Sequence, residues 1–464
     1  MSKTTSCASS STRSRHASRP AARCGYRSTH HQSRIPMPLP VRSLTVLQNW
    51  DCQGCTSCCR QYHVAVSAEE RKKIEAQGWE NEPDLQGVPY FVRTGGWFSS
   101  EYRLNHRPDG ACVFLGPDNR CRIHVKHGSA AKPLPCRIYP YSLVPAGDHW
   151  KLGLRFACPS AVEDRGRPLT EHLSEARQYA AVLEALSGTA AITIPPPPLQ
   201  GSQQITWSDL ARIVSAISEV FAEDIDTIER RWRKVLFVVS TLRQAKFDGD
   251  GDPQKAIVGS RLTELLTILV DAAEDEVPES PDDVPPPSWV GRMVFRPVAA
   301  LYARKDTGPD RGSAQSSAFS RFASAIQFAR GRGRIPRTHV AIPQTTFDVA
   351  EQPLDELSEE AESLLTRWAR VKIESGQFCG PTNFNMAVWD GLESLAVAFA
   401  AAMWLTRVLA TDGRSVDDAV KTAVRIVDDN YGFNPLLGRG RQKFALNLLG
   451  KRGELSKLVA WYGK

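Results

Sequence analysis

Apolar residues recur with a helical period through most of the chain beyond residue 166. Leu210, Ile213, Val214, Ile217 and Phe221 fall on one face of a 3.6-residue repeat, and so do Leu262, Leu265, Leu266 and Leu269. Between Asp355 and Ile373 the pattern continues through Leu364, Leu365, Trp368 and Val371. Acids fill the first half of that segment and bases the second, the order that complements a helix dipole. The spacing predicts helices over residues 166–275 and again over 289–464.

Upstream the pattern changes. Val64–Val66, residues 111–115, 137–144 and 149–156 are short runs with strand character, and Pro145–Asp148 ("PAGD") is spaced as the turn of a hairpin between the last two. One helix is expected at residues 67–78, where Ser67 and Glu70 have the spacing of a capping box and Gly78 supplies the stop. The fold class is therefore α+β: a small cysteine-rich module containing β-strands at 44–165, followed by a mainly α-helical region. Pro195–Pro198 and the acidic, proline-rich stretch at 276–288 read as linkers or surface loops, because proline can continue neither a helix nor a central strand.

The formal net charge of +7 is concentrated at one end. Residues 1–50 carry eight basic residues and no acid, so the remainder is close to neutral and gives no specific nucleic-acid signal. Residues 1–43 read as a disordered basic tail, or as sequence upstream of a start at Met37, since they hold too little apolar surface to offset ordering entropy. They contain no apolar core of a secretory signal. No membrane span is expected: the longest apolar run, Leu395–Leu405, is short of the ~18 residues required and reads as a buried helix. A cytoplasmic protein is the expectation.

Eight of the eleven cysteines fall in the module: Cys52, Cys55, Cys58, Cys59, Cys112, Cys121, Cys136 and Cys158. Two C-x2-C steps in series place three thiols on one loop, a spacing that lets a tight turn present several ligands to one metal. Adjacent Cys58 and Cys59 tend to diverge, so they could serve two centres, or one could be a packing residue. Gly116–Asn119 supply turn residues that would bring Cys112 and Cys121 together. Disulfides fit less well, because neighbouring thiols on a tight loop have poor bridging geometry. His63 and His124 are alternative ligands, set against the plainer reading of solvated or packed imidazoles. Cys379 reads as an isolated buried thiol. Eight thiolates suffice for two four-ligand sites, so the cofactor is an iron–sulfur cluster or zinc.

The succession C-x2-C-x2-C-C, "GACVFL", "CRIH" and "KPLPCRIYP" resembles the YkgJ-like cysteine-cluster family, a zinc- or iron-chelating domain related to the cluster of flagellin lysine N-methylase. The resemblance covers roughly residues 50–160. It implies metal ligands at Cys52, Cys55, Cys58, Cys59, Cys112, Cys121 and Cys136, with Cys158 as an eighth. Two functions follow as expectations. One is a metal- or cluster-binding protein with a structural, redox-sensing or electron-transfer role. The other is a protein-lysine N-methyltransferase. A protein partner for the helical region is a third possibility.

Other motifs fail on their own chemistry. "DGDGDP" at Asp248–Pro253 lacks the glycine and glutamate of a calcium loop. The "GRGR" repeats at 331–334 and 438–441 lack the glycines of a dinucleotide loop. The aromatic stretch Gln377–Gly391 reads as helix packing.

Overall fold

A computed structural model describes residues 39–95, 101–187, 194–248, 255–315, 317–354, 356–451 and 453–464, and residues 38–464 form one compact unit. The "DGDGDP" motif lies largely outside the described residues, as does most of the basic tail.

The cysteine module is built on three small sheets. The first, ordered β1-β7-β6, joins β1 (Val41–Arg42), β6 (Tyr141–Pro145) and β7 (Trp150–Leu154). The β6–β7 hairpin is the one "PAGD" predicts: Pro145 pairs with Trp150, and Ala146 N–H donates to His149 O at 2.8 Å. Gly147 turns the chain at φ +76°, and Trp207 packs so close that a Cβ there would meet its ring. The second sheet pairs β2 (Asn49–Trp50) with β8 (Arg167–Pro168), and the third is ordered β3-β5-β4, with β3 (Ala65–Val66), β4 (Phe91–Thr94) and β5 (Glu101–Leu104).

Short helices fill the connections: α1 (Ser57–Gln61), α2 (Ala68–Glu75), α3 (Arg122–His127), α4 (Leu134–Ile138) and α5 (Pro159–Val162). The capping box of α2 forms as its sequence requires, with Ser67 Oγ accepting from Glu70 N–H at 3.1 Å and the Glu70 carboxylate accepting from Ser67 N–H at 2.9 Å.

Two of the strand expectations do not hold. Residues 111–115 form turns between isolated bridges, His106 with Cys112 and Leu115 with Cys121. The first part of 137–144 closes α4, and only its end enters β6. In both places the apolar residues signal burial, since Val113, Phe114 and Leu115 are each 1% exposed, and a short buried run does not specify strand.

The helical region contains α6 (Leu173–Ser187), α7 (Trp207–Ala222), α8 (Ile228–Leu242), α9 (Ser260–Glu276), α10 (Trp289–Tyr302), α11 (Ala318–Arg330), α12 (Phe347–Ala350), α13 (Glu359–Glu374), α14 (Val388–Ala410), α15 (Val416–Asn430), α16 (Gly440–Lys451) and α17 (Glu454–Gly463). The predicted faces of α7, α9 and α13 are the buried ones, apart from the half-buried Leu265. Thr206 caps α7 and Ser358 caps α13. At 23 residues α14 is long and apolar enough to cross a membrane, yet its residues are buried among the other helices.

Helices from both sides of the acidic stretch share one core, which also takes in Val46, Phe156 and Val162 from the cysteine module. The stretch itself is tied to α8: Arg233 donates to Pro278 O at 2.7 Å and Arg230 to Val277 O at 3.2 Å. Pro198 O accepts from Val388 N–H at 2.9 Å, which docks the tetraproline segment on the start of α14.

Candidate metal centre

The thiol site rests on a core of its own. Val66, Ile74, Trp79, Leu104, Val113, Phe114 and Ile123 form a small cluster in the module, and Cys112, Cys121 and Cys136 pack against it. Each thiol is set by a local device. Cys58 and Cys59 ride on the single turn of α1, entered through Thr56 in the left-handed region at φ 60°. Cys112 N–H donates to Cys59 O at 2.8 Å, which pins the two segments together. The turn at 116–120 closes through Gly116 N–H to Arg120 O at 2.8 Å, with Asn119 at φ 59°, and Cys121 then opens α3. Cys136 sits inside α4, just beyond Pro133 and Pro135.

These elements bring five of the eight predicted residues, Cys58, Cys59, Cys112, Cys121 and Cys136, to the wall of one cavity of about 380 Å³. The divergence expected of the adjacent pair is not observed: Cys58 Sγ and Cys59 Sγ face the same cavity, 3.9 Å apart. Cys52 and Cys55 lie on the exposed loop before α1, outside it. Cys158 is buried at the start of α5, in a different core cluster beside Trp50. The nine described cysteines are all free thiols, and Cys379 is buried in the helical core.

Three of the cavity thiols, Cys58, Cys112 and Cys136, are held toward their neutral form. The neighbouring Cys59 thiol and burial both push the Cys58 thiol well up. Burial pushes Cys112 up to about 12 and moves Cys136 in the same direction, with Cys58, Cys112 and Cys121 adding to the effect on Cys136. Lys132, on the same wall, acts in the opposite sense on Cys58 and Cys136 and would favour their thiolates. Burial likewise raises Cys158, with a smaller contribution from Cys55.

The histidines divide. His124 is exposed in the last turn of α3 and does not line the cavity. His63 does, at the rim, with its ring 5.0 Å from that of His106. His106 is a lining residue the sequence reading missed. Its Nε2 is buried with no hydrogen-bond partner. Burial holds its basicity down, and Arg103 lies 3.4 Å from its Nδ1 as a donor, so the neutral ring carries its proton on Nε2, which must give it up before it can bind a metal. The signal for it was the turn "RPDG" at 107–110, which pairs His106 with Cys112 across an isolated bridge.

The donor set is that of a soft-metal site: five thiols, one orphaned imidazole nitrogen and a nearby cation. Among the described residues, however, no three Cys, His, Asp or Glu side chains converge tightly enough to hold a single ion. The donors fit a metal centre in kind and in location, spread around the cavity rather than closed on one point.

These features are those of a cysteine-cluster domain. Residues 51–159 match the CxxCxxCC family model, whose description is that of a zinc- or iron-chelating domain, and this part of the chain is a cysteine-cluster domain. An uncharacterized protein of Methanocaldococcus jannaschii is 30% identical over 95 residues, which cover 20% of this chain and 29% of that protein. The similarity thus spans less than a third of the relative's length. No solved structure matches.

Proposed function

We propose that the cavity holds an iron–sulfur cluster, ligated by thiolates drawn from Cys58, Cys59, Cys112, Cys121 and Cys136, and that the cluster serves as a redox-responsive centre. The supporting observation is the spread of these thiols around one cavity. Tetrahedral zinc with bonds of about 2.3 Å brings its sulfurs to roughly 3.8 Å of one another. Cys58 and Cys59 stand 3.9 Å apart, a separation of that size, but among the described residues no three thiols converge on one point. A 4Fe–4S cluster binds each of its four thiolates to a different iron, and a 2Fe–2S cluster binds them as two separated pairs, so either accepts thiols spread more widely than a single ion does. Cys52, Cys55 and Cys158 lie outside the cavity.

The redox reading follows from α1. Its Cys58 and Cys59 face the thiol cavity, while Ser57 reaches toward Arg425 of α15 and Gln61 bonds Asp310 beyond α10. A change of oxidation state or loss of the cluster would act on a helix that also touches the helical region.

The test is purification without oxygen, followed by iron, zinc and acid-labile sulfide assays and a visible spectrum with and without dithionite. Iron and sulfide in similar amounts, with an absorbance bleached by the reductant, are expected. Zinc without sulfide in well-folded protein overturns the cluster reading while leaving a metal domain.

A further inference from the structure

A second cavity, of about 180 Å³, lies where the cysteine module meets the helical region, and Tyr62 lines both it and the thiol cavity. Its walls bring together α1, the loops after α10 and α11, and α15. Most of its charges are paired. Lys305 Nζ lies 2.5 Å from Asp429 Oδ2, and Arg155 approaches the other oxygen of Asp429 at 3.3 Å. The Gln61 amide donates to Asp310. His339 Nδ1 accepts from Ala341 N–H at 3.0 Å, so the proton of the neutral ring is on Nε2, 3.9 Å from Asp310 Oδ2.

Arg425 is the exception. Its hydrogen bond to Ser57 Oγ is long, at 3.5 Å, and its Nε is buried with no partner. Among the described residues it has no carboxylate partner within ion-pair distance. Gln61 Oε1, on the same wall, is also buried and unbonded. A buried guanidinium Nε–H on the half-buried Arg425 and a buried carbonyl oxygen, both unsatisfied in one cavity, are costly, and a bound molecule that met both would recover that cost. On the cavity wall Lys305 is paired with Asp429 and Asp310 accepts from Gln61, which leaves Arg425 as the lining cation with no carboxylate within ion-pair distance among the described residues. The volume is below the ~300–1,000 Å³ of sites for drug-sized ligands.

We propose that this cavity binds a small monocarboxylate that also carries a hydrogen-bond donor, such as a 2-hydroxy or 2-amino acid. The carboxylate faces Arg425 and the donor faces Gln61 Oε1. Asp310 and Asp429 disfavour a dianion. The site does not depend on which metal the thiols hold.

L-Lactate is the probe, and inorganic phosphate is the comparison, both against the full chain purified with its metal. Lactate is expected to bind by calorimetry and to protect Arg425 from phenylglyoxal, read by peptide mass spectrometry, while phosphate does neither. Arg425→Gln should weaken lactate by at least about tenfold, a loss of ~1.4 kcal/mol. Arg441→Gln, at an exposed position of α16, should not change it. Failure of lactate to bind or protect at ~10 mM, far weaker than ordinary metabolite affinities, overturns the proposal. So does equal binding by phosphate. The footprint on the unaltered protein gives a result even if Arg425→Gln misfolds, and metal content measured on the same sample reports separately on the thiol site.

Discussion

Lys372 and Asp428 form an ion pair at 2.6 Å, with side chains 1% and 0% exposed. Asp428 also accepts from Trp368 Nε1 at 3.0 Å and from Ala157 N–H at 3.1 Å, and Lys372 donates to Gln377 at 2.9 Å. Ala157 precedes Cys158, so this pair fastens the end of the cysteine module to α13 and α15. Burial pulls the Lys372 ammonium toward its neutral form and Asp428 holds it charged. Lys372→Met strands a buried carboxylate and should cost about 3–5 kcal/mol. The double variant with Asp428→Leu should lose clearly less than the two single losses added together. Urea unfolding of all three decides this, and simple additivity would show that the pairing is not what matters.

The cavity thiols and the outer thiols should separate in metal analysis. Cys112→Ser and Cys136→Ser are expected to lose most of the labile sulfide, and Cys52→Ser to keep at least about half of it, because a cluster requires its full set of four ligands. Cys379→Ser, buried in the helical core away from both groups, should keep the unaltered metal content. An equal loss from Cys52→Ser would place that loop in the same centre as Cys112.

His339 makes stability depend on pH. Burial lowers its pKa from 6.5 to about 4 in the fold. The unfolded chain therefore takes up a proton as pH falls through 6.5, while the folded chain does so only near 4. The contribution is absent above 6.5 and grows as a destabilisation on acidification, approaching about 3 kcal/mol by pH 4. The Tm difference between the native chain and His339→Gln should shift in favour of the variant between pH 7 and 5. A constant difference would exclude the effect.

Gly391 lies in the first turns of α14, where an added Cβ would collide with the carbonyl oxygen of Phe378. Because that neighbour is backbone, it cannot rotate away. Gly391→Ala should destabilise the helical core by about 1–3 kcal/mol despite its better helix propensity. An unchanged or raised Tm would show that the 378 segment yields.

The sequence by itself determined the features that depend on neighbours along the chain. The buried faces of α7, α9 and α13 follow from their 3.6-residue period. The capping box of α2 follows from Ser67 and Glu70, and the hairpin at 145–150 from its turn residues. The grouping of the thiols into one module was legible in the same way. Tertiary structure decided what depends on residues far apart. It put Cys58 and Cys59 on one wall, left Cys52 and Cys55 outside it, and turned the apolar run at 111–115 into buried turns. It also brought Ser57 to Arg425 and Ala157 to Asp428. The physical reason is that a turn or a helical face is set by backbone preference within a few residues, whereas a cavity is set by where separate segments pack. Arg425 reads in the sequence as one more polar position on an amphipathic helix, and only the fold leaves its Nε buried without a hydrogen-bond partner.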